Sequence, residues 1–453
     1  MLSKNDDIIL EIEDVTVQGS GVGRYEGITV FVEGTAVGDV INCHIVKVNK
    51  SYCFGKAVGF IKRSPHRIEP TCPAAKTCGG CCFTHITYEE ECRLKEKAVR
   101  DSFERIGKLH PEFEKFMGCA VTSHYRNKAQ YPVGEQDGKA VCGFYAKRSH
   151  RICSGHDCEL QPVIFTEIVD AVLAFSDSNG IKPYDEQTGN GLLRHIYLRR
   201  GEHSGQIMLC LVVTDIKKAA VFKGLCSELS KDFPDIRSIV LNENSKNTNV
   251  ILGSKTSVIR GSETIEDVMC SNRITISPQS FYQVNTLQAE KLYAIAKEYA
   301  RLSEDATLLD LYCGAGTIGL SMCNGIKKLI GVEVVAQAIE NAKRNAEING
   351  VTNAEFICGD AGKVAQILYD RGERPDVIIA DPARKGCDMQ SLEFMVKMQP
   401  ERIVMISCNH ATAARDCAIL GELGYKTVKV KGVDLFPRTA HVECVVLMSR
   451  VKE

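Results

Sequence analysis

The sequence predicts an α/β protein with three parts: a small N-terminal β-barrel, a central α+β region and a C-terminal Rossmann-like sheet. Three observations support this prediction. Apolar and polar residues alternate over residues 8–60, a cysteine-rich loop begins at Cys72, and a glycine turn follows an apolar run within residues 307–319. A chain of 453 residues is long enough for two or three domains. We predict the following domain boundaries: 1–62, 63–272 and 273–453.

The composition limits the classes of function that fit. The formal net charge is -1, so no global field draws the protein to nucleic acid or membrane, and any RNA-binding surface must be a local patch. The chain has no run of about 18 apolar residues and a polar N-terminus, which predicts a cytoplasmic protein without a membrane span or signal peptide. Its 21 cysteines are then expected to be reduced, with metal-binding or catalytic exceptions.

The first part of the chain is predicted to be a barrel because short β-rich runs, such as 28–32 and 40–48, are separated by Gly- and Asp-containing turns. The loop at residues 19–25 carries a cation and an aromatic side chain. An OB-like barrel binds single-stranded nucleic acid by stacking and backbone charge, and a structural barrel without a ligand is the alternative. A linker with two prolines and three cations follows at residues 62–70.

The next feature is a group of thiols in a C-x5-C-x2-C spacing, formed by Cys72, Cys78 and Cys81. Three thiols on a glycine-containing loop can surround one metal centre, and a fourth must come from elsewhere in the chain. Cys153 and Cys158 are the candidates. Four thiolates suit either zinc or an iron-sulfur cluster, and the spacing does not separate the two. We interpret the group as a structural or RNA-positioning centre.

Two central segments, 125–131 and 143–151, interleave cations with aromatic residues. This pattern suits phosphate contact and base stacking in RNA, whereas a solvated charged face is the alternative. A helix is predicted before them, over residues 88–105, from its charge spacing and good helix formers. Residues 163–272 carry no recognisable chemistry, and we interpret them as scaffold.

The C-terminal part begins with a predicted helix whose cap is Asn285 or Thr286. The glycine turn Gly314-Ala-Gly316-Thr-Ile-Gly319 follows a buried strand and is predicted to bring its backbone close to a ligand. Glu333 ends the next apolar run, where a carboxylate can accept hydrogen bonds from ribose hydroxyls. Taken alone, this pattern fits NAD as well as S-adenosylmethionine.

Polar residues follow three further β-branched runs, and they are Asp360, Asp381 and Cys408. Ligands of an open parallel sheet sit outside the carboxyl ends of its strands, so these residues and Glu333 are expected to converge on one edge. A thiol at that edge has no use in hydride transfer. The pattern therefore favours S-adenosylmethionine over NAD.

Several motifs occur in a fixed order along the chain. They are the set Cys72, Cys78, Cys81 and Cys158, then Phe281-Tyr-Gln-Val-Asn285, Asp310-Leu-Tyr-Cys-Gly-Ala-Gly316, Asp381-Pro-Ala-Arg384, Ser407-Cys-Asn409 and His441-Val-Glu443. In this combination the sequence resembles the 23S ribosomal RNA uracil-5-methyltransferase family, which has a class I methyltransferase domain and a TRAM-type barrel. The resemblance covers nearly the whole chain. The family usually continues Ser-Cys-Asn with Pro, where this chain has His410, and that difference concerns the rigidity of the loop.

The resemblance implies transfer of a methyl group from S-adenosylmethionine to carbon 5 of a uridine. Carbon 5 of uracil is too electron-poor to attack a sulfonium methyl group, and addition of a thiolate to carbon 6 makes carbon 5 nucleophilic. Cys408 is the predicted nucleophile, and Glu443 is the predicted base that removes the carbon 5 proton. Nearby cations or helix-end amides are expected to lower the pKa of Cys408.

The resemblance also implies ligands and partners. It assigns Gln283, Tyr312, Glu333 and Asp381 to the S-adenosylmethionine site, with Asp360 in the position that faces the adenine. The metal ligands are then Cys72, Cys78, Cys81 and Cys158, around a [4Fe-4S] cluster with zinc as the alternative. The implied substrate is RNA, with 23S ribosomal RNA favoured over tRNA because barrel and cluster accompany the ribosomal branch of the family.

Two functions of other kinds compete with this interpretation. A nicotinamide-dependent oxidoreductase would use the glycine turn but would leave Cys408 without a role. An RNA-binding, cluster-carrying protein with an inactive C-terminal part is the second alternative. The sequence indicates neither the modified uridine nor the oligomeric state.

Overall fold

The computed structural model describes residues 2–153 and 155–451, and it confirms the predicted mixed α/β class. The N-terminal part is a six-stranded sheet in the order β1-β5-β6-β4-β3-β2. Its edges meet, since Glu13 N donates a hydrogen bond to Val22 O over 2.9 Å. Alternate residues of one strand, Ile41, Cys43 and Ile45, are fully buried in the core of this barrel. The strands are β1 Asp7–Glu11, β2 Asp14–Val15, β3 Ser20–Tyr25, β4 Ile28–Glu33, β5 Val40–Val48 and β6 Tyr52–Lys62.

The central part is built on a second six-stranded sheet, in the order β13-β12-β11-β10-β8-β9. Helices α2 (Val163–Ser178) and α3 (Lys223–Asp232) pack on one face of it, against side chains such as Tyr131 and Ile196. A hairpin, β14 (Ile265–Met269) and β15 (Asn272–Ile276), follows. The strands of the sheet are β8 Lys128–Gln136, β9 Lys139–Cys142, β10 Leu193–Arg200, β11 Ile207–Val213, β12 Ile236–Glu243 and β13 Lys255–Gly261.

The C-terminal part is an eight-stranded sheet in the order β18-β17-β16-β19-β20-β22-β21-β7. Its first five strands are parallel, and β22 runs antiparallel between β20 and β21. Separate apolar cores lie on its two faces, as in doubly wound sheets. The strands are β7 Glu112–Phe113, β16 Thr307–Leu311, β17 Lys328–Glu333, β18 Ala354–Cys358, β19 Val377–Ala380, β20 Arg402–Ser407, β21 Tyr425–Val433 and β22 Glu443–Arg450.

One helix precedes the first parallel strand of this sheet, and further helices follow the strands. Asn285 caps the first helix and accepts a hydrogen bond from Gln288 N over 3.3 Å, as the sequence predicts. Among the described residues, no helix is both long and apolar enough to span a membrane. The helices are α4 Thr286–Ala300, α5 Thr317–Met322, α6 Ala336–Ile348, α7 Ala361–Asp370, α8 Met389–Lys397 and α9 His410–Glu422.

The helix α1 (Tyr88–Asp101) joins the central part to the C-terminal sheet. Its Lys95 is 1% exposed and lies 2.8 Å from both Glu91 and Asp434. The helix continues as a π-helical turn, Ser102–Ile106, instead of reaching residue 105 as a regular α-helix. A short strand, β7, also pairs with β21 of the C-terminal sheet. Helix α1 and strand β7 belong to the predicted central domain, but both pack with the C-terminal sheet. The domain boundaries at 62 and 272 therefore remain a prediction.

Candidate active site

The glycine turn after β16 leaves an open space beside the backbone. Tyr312, Gly314 and Gly316 have φ values of +67°, +55° and +79°. A side chain on Gly316 would lie 3.2 Å from Phe356, so that position is closely packed. A Cβ on Gly314 would meet no atom within 4 Å, and its backbone is therefore accessible to a ligand.

Two carboxylates hold this turn. Glu333 accepts hydrogen bonds from Gly314 N over 3.3 Å and from Val335 N over 2.8 Å. Asp310 is buried, and its Oδ2 atom accepts from Gly319 N over 2.9 Å, whereas its Oδ1 atom has no partner in the described part of the chain. Burial raises the pKa of Asp310 to about 8, although the Gly319 hydrogen bond lowers it. The unpaired Oδ1 atom leaves an acceptor for a ligand with a cationic group.

Gln283 and Tyr312 lie next to this turn. The buried Gln283 is fixed through its main-chain carbonyl oxygen, which accepts from Asn127 Nδ2 over 2.8 Å, and its side chain helps to lower the pKa of Tyr293, which burial raises. The Tyr293 hydroxyl is 3.2 Å from Thr317 Oγ1, in the first turn of α5. The Tyr312 hydroxyl lies 3.2 Å from Ser391 Oγ.

Asp360 lies further out and already has a structural contact. It is exposed and caps α7 by accepting a hydrogen bond from Lys363 N over 3.2 Å. A carboxylate engaged as a helix cap has fewer free acceptor positions for a nucleoside.

The thiol and carboxylates of the C-terminal motifs lie at one edge of the sheet. Asp381 follows β19 and Cys408 follows β20, so both stand at carboxyl ends of neighbouring parallel strands. Glu443 begins the antiparallel strand β22, and Ser407 pairs with Cys444 in the register of β20 and β22. This register brings Glu443 to the same edge as Cys408.

Burial decides the protonation of these groups. Burial raises the pKa of Asp381 to about 7 and that of Glu443 to about 8. The charge of Asp381 also contributes to the raised pKa of Glu443. Burial also raises the pKa of the Cys408 thiol to about 11, with further increases from Glu443 and Asp381. The expectation that neighbouring cations lower this pKa overall is wrong, because desolvation and two carboxylates outweigh one guanidinium.

That guanidinium belongs to Arg384. It is close enough to the Cys408 thiol to lower the pKa of that thiol, and it lies 3.1 Å from His441 Nε2. The Arg384 carbonyl oxygen accepts a hydrogen bond from Asn409 Nδ2 over 2.9 Å. Arg384 therefore links the Asp-Pro-Ala-Arg, Ser-Cys-Asn and His-Val-Glu motifs. The sequence motif contains this residue, but it does not indicate the contact with the thiol.

His410 occupies the first position of α9, where proline is also favoured because the amide there needs no intrahelical partner. Its Nδ1 atom is 2.6 Å from Ser102 Oγ, in the π-helical turn after α1. Histidine thus keeps the start of the helix and adds a contact that proline cannot make.

Comparisons with known proteins identify the kind of site this is. A tRNA (uracil-5-)-methyltransferase family model matches residues 238–451, and a TRAM domain model matches residues 8–58. An uncharacterized RNA methyltransferase of Bacillus cereus is 42% identical over 457 residues, with 100% of this chain and 98% of the relative covered. The Oceanobacillus iheyensis RNA methyltransferase OB0768 is 43% identical over 450 residues, with 98% and 96% covered.

A solved structure agrees over the same length. The tRNA (uracil-54, C5)-methyltransferase of Pyrococcus abyssi, in complex with S-adenosyl-L-homocysteine, superposes with a TM-score of 0.78 at 25% sequence identity. The match covers 97% of this chain and 99% of that one. The chain belongs to the RNA uracil-5-methyltransferase family. The methyltransferase is thus an S-adenosylmethionine-dependent enzyme acting on RNA, and the glycine turn fits that cofactor.

The cysteine loop of the methyltransferase brings its thiols near one another. Burial raises the pKa of Cys81 to about 12, and the charges of Cys158 and Cys78 add to the increase. Burial likewise raises the pKa of Cys158 to about 11, with contributions from Cys78 and Cys72. Within residues 2–153 and 155–451, however, no three His, Cys, Asp or Glu side chains are grouped closely enough to hold one metal ion.

The two interleaved segments of the methyltransferase differ in their accessibility. Tyr125 and Tyr131 are 6% and 0% exposed, and the Tyr125 hydroxyl donates to Pro437 O over 3.0 Å. These two rings therefore cannot stack on bases, and the first segment offers only its cations. Lys147 and Arg148 of the second segment are exposed. RNA binding therefore stays a prediction for the exposed cations and the aromatic residues of the second segment, and Tyr125 and Tyr131 are excluded as stacking rings.

Proposed function

We propose that the protein methylates carbon 5 of a uridine in 23S ribosomal RNA through a covalent bond between Cys408 and carbon 6 of the base. The observation that carries the proposal is the register of β20 and β22, which gives Cys408 and Glu443 a common edge of the sheet. The cofactor turn, with Gly314 and Glu333, lies at the same edge. The family membership supports the reaction class, and the covalent mechanism is our inference from this geometry.

The first step is addition of the Cys408 sulfur to carbon 6 of the uracil. The thiol carries its proton in the free protein, since its pKa is raised to about 11 by burial and by Glu443 and Asp381. The proton must leave as the sulfur-carbon bond forms, and Asp381 is the carboxylate available to accept it, which leaves Glu443 ionised for the last step. Arg384 stabilises the thiolate through its positive charge. The π electrons of the carbon 5–carbon 6 bond move toward carbon 4 and its oxygen, which makes carbon 5 nucleophilic.

Methyl transfer needs a donor beside carbon 5. When bound, S-adenosylmethionine supplies an electrophilic methyl group. Glu333 is positioned for the ribose hydroxyls, and the unpaired Oδ1 atom of Asp310 suits the amino group of the methionine part. Gln283 offers both a donor and an acceptor on the opposite side of the turn.

The final step is elimination. Glu443 removes the proton from carbon 5, the electrons of that bond restore the carbon 5–carbon 6 double bond, and the Cys408 sulfur leaves as a thiolate. A pKa of about 8, raised by burial and by Asp381, makes the ionised Glu443 a stronger base than a solvated carboxylate. The side chain is 5% exposed, so bulk water does not compete for this role.

The choice of 23S ribosomal RNA rests on the sequence resemblance. The tRNA enzyme from Pyrococcus abyssi aligns over 97% of this chain, so the N-terminal barrel does not by itself separate the two substrates. The cysteine loop is the feature that favours the ribosomal substrate. We infer that Cys72, Cys78, Cys81 and Cys158 ligate a [4Fe-4S] cluster with a structural role.

The neighbours of two of these thiols support a shared site. After burial, Cys158 and Cys78 help to raise the pKa of Cys81, and Cys78 and Cys72 help to raise that of Cys158. Four thiolates suit either zinc or an iron-sulfur cluster, and the sequence resemblance favours the cluster.

The test uses S-adenosylmethionine with a labelled methyl group, and unmodified 23S ribosomal RNA and tRNA transcripts as separate substrates. We expect label in 5-methyluridine of the 23S transcript, and none with Cys408→Ala. Cys358→Ala is the matched control, because Cys358 is an exposed thiol outside the Ser-Cys-Asn motif, and it should label normally. Label in tRNA alone would overturn the substrate, and normal labelling by Cys408→Ala would overturn the mechanism.

A further inference from the structure

The central sheet has a cavity of about 430 Å³ on the face opposite α2 and α3. Alternate residues of β8, Lys128, Gln130 and Pro132, line it, whereas Tyr131 packs into the apolar core on the other face. His195 of β10 lies on the cavity side as well. Cavities of about 300–1,000 Å³ commonly bind ligands. Lys128, Tyr145 and His150 belong to the two segments that interleave cations with aromatic residues, whereas Arg194 and His195 come from residues 163–272, where the sequence shows no motif.

The cavity is lined by cations that lack acidic partners. Lys128 and Arg194 are lining residues, and neither forms an ion pair with a carboxylate in the part of the chain described here. The Arg194 guanidinium donates through Nη1 to Asn244 O and Lys246 O, while its buried Nε atom has no partner among the described residues. Burial lowers the pKa of Lys128 to about 8, and the nearby charges of Arg199 and Arg126 lower it further. Cations gathered in this way fit an anionic ligand.

Other buried polar atoms of the lining are also unpaired. Gln161 and His195 are 4% and 8% exposed, and their Oε1 and Nδ1 atoms have no hydrogen-bond partner within the described residues. Buried polar groups without partners are rare in folded proteins. These atoms give the cavity both donor and acceptor positions in addition to its charges.

One wall of the cavity is aromatic. The rings of Tyr145 and His150 stack with their centroids 5.1 Å apart and an interplanar angle of 24°. His150 is held by Glu186, whose carboxylate lies 2.9 Å from its Nδ1 atom. The cysteine loop supports this wall, because Gly79 N donates to Tyr145 O over 3.0 Å. Flat rings beside cations are the combination that binds a base together with its phosphate.

Two neighbouring residues, Arg126 and Asn127, relate the cavity to the active site. Arg126 lines the cavity. The pKa of His441 is lowered mainly by burial, then by the charge of Arg384, and then by the charge of Arg126. The next residue, Asn127, donates to Gln283 O, in the segment next to the cofactor turn. A strand of RNA whose target uridine is at Cys408 would therefore have neighbouring nucleotides within reach of the cavity.

We propose that this cavity binds a second nucleotide of the substrate RNA, with its phosphate on Lys128 and Arg194 and its base against Tyr145 and His150. The proposal rests on the proposed function for the identity of the ligand as RNA. In this proposal the central sheet recognises a nucleotide that is not methylated. The choice of substrate then depends on the cavity as well as on the residues around Cys408.

The test measures binding and catalysis separately. Dissociation constants for the unmodified 23S transcript are measured by filter binding without S-adenosylmethionine, at several salt concentrations, for Lys128→Gln, Lys128→Arg and Tyr145→Ala. We expect Lys128→Gln and Tyr145→Ala each to weaken binding by about tenfold or more, because a phosphate contact or a stacked base is lost. Only Lys128→Gln should reduce the salt slope, by about one, and Lys128→Arg should restore it. The value of kcat at saturating RNA should stay within about twofold of the wild type.

Lys182→Gln is the matched control, because Lys182 is 67% exposed and pairs with Glu135. It should leave the dissociation constant unchanged. Equal weakening by Lys182→Gln, or unchanged binding by Lys128→Gln and Tyr145→Ala, would overturn the proposal. Binding is read without methyl transfer, so a wild-type protein that binds RNA through this cavity but does not methylate uridine would overturn the proposed function alone.

Discussion

The guanidinium of Arg384 lies 3.1 Å from the Nε2 atom of His441. Arginine has donors and no acceptor, so Nε2 must be the unprotonated nitrogen of the imidazole. Burial lowers the pKa of His441, and the charges of Arg384 and Arg126 lower it further, which agrees with a neutral ring. The contact fixes the guanidinium beside Cys408, where it favours the thiolate.

Replacement of this arginine should slow the reaction by a factor that hardly changes with pH. Arg384 lowers the pKa of Cys408, so Arg384→Met raises that pKa and reduces the thiolate fraction at neutral pH. We expect kcat/KM at pH 7.5 to fall about tenfold or more, since one pKa unit changes the thiolate fraction tenfold. Because the pKa of Cys408 is about 11 even with Arg384 present, the thiolate fractions of both proteins rise in parallel, and the deficit should stay nearly constant from about pH 7 to 9. Arg384→Lys keeps the positive charge and should recover part of the activity. Equal losses with Arg384→Lys and Arg384→Met, or no loss with either, would contradict an electrostatic role.

The cofactor site makes a prediction about two carboxylates. Glu333→Gln should raise KM for S-adenosylmethionine by about tenfold, because a charge-assisted hydrogen bond contributes about 1.5–3 kcal/mol. Asp360→Asn should change KM by less than about threefold, because Asp360 is exposed and already caps α7, and asparagine keeps the cap. Steady-state kinetics with a saturating RNA substrate measure both values. A larger effect at Asp360 than at Glu333 would reverse the assignment.

The junction between α1 and the C-terminal sheet makes a prediction about stability. Lys95→Met leaves the buried carboxylates of Glu91 and Asp434 without a counter-ion, which should lower the free energy of unfolding by about 3–5 kcal/mol. Lys97→Met is the control, because Lys97 is 37% exposed and its ion pairs with Asp14 and Asp101 should contribute less than about 1 kcal/mol. Urea denaturation measures both. Equal losses of unfolding free energy in the two variants would contradict a larger contribution from the buried ion pairs of Lys95.

The cysteine loop predicts a difference between two adjacent thiols. Cys81→Ser should lose bound iron and visible absorption after anaerobic purification, because it removes one of the proposed ligands. Cys82→Ser should keep the iron and the absorption, because Cys82 is not one of the proposed ligands. The charges with the largest effects on its pKa are those of Lys95 and Glu91. Iron analysis and absorption spectra measure the outcome. Bound zinc in place of iron, or loss of metal from both variants, would contradict the four-thiol cluster.

Features encoded in local sequence could be predicted. The α/β class follows from apolar periodicity, the cap at Asn285 from its side-chain chemistry, and the carboxyl-end positions of Asp381 and Cys408 from the polar residues after β-branched runs. Each depends on neighbours in the chain.

Features that depend on distant contacts could not be predicted. The pKa of Cys408 is raised because burial and Glu443, 35 positions away, act against Arg384. The burial of Tyr125 and Tyr131 depends on packing against other parts of the chain, including Pro437. The two-residue strand β7 is too short for a periodic signal. The cavity beside Lys128 joins the two interleaved segments to residues such as Arg194 and His195 of β10, where the sequence carries no motif.

The covalent mechanism is tested most directly with Glu443→Gln. This variant keeps Cys408, Arg384 and the shape of residue 443, but it lacks the base that removes the carbon 5 proton. With substrate RNA and S-adenosylmethionine, we predict a protein–RNA adduct that survives denaturing electrophoresis, carries the transferred methyl group and yields on digestion a Cys408 peptide bound to a uridine. The double variant Glu443→Gln, Cys408→Ala should form none. Normal turnover by Glu443→Gln, or an adduct at another residue, would contradict the account.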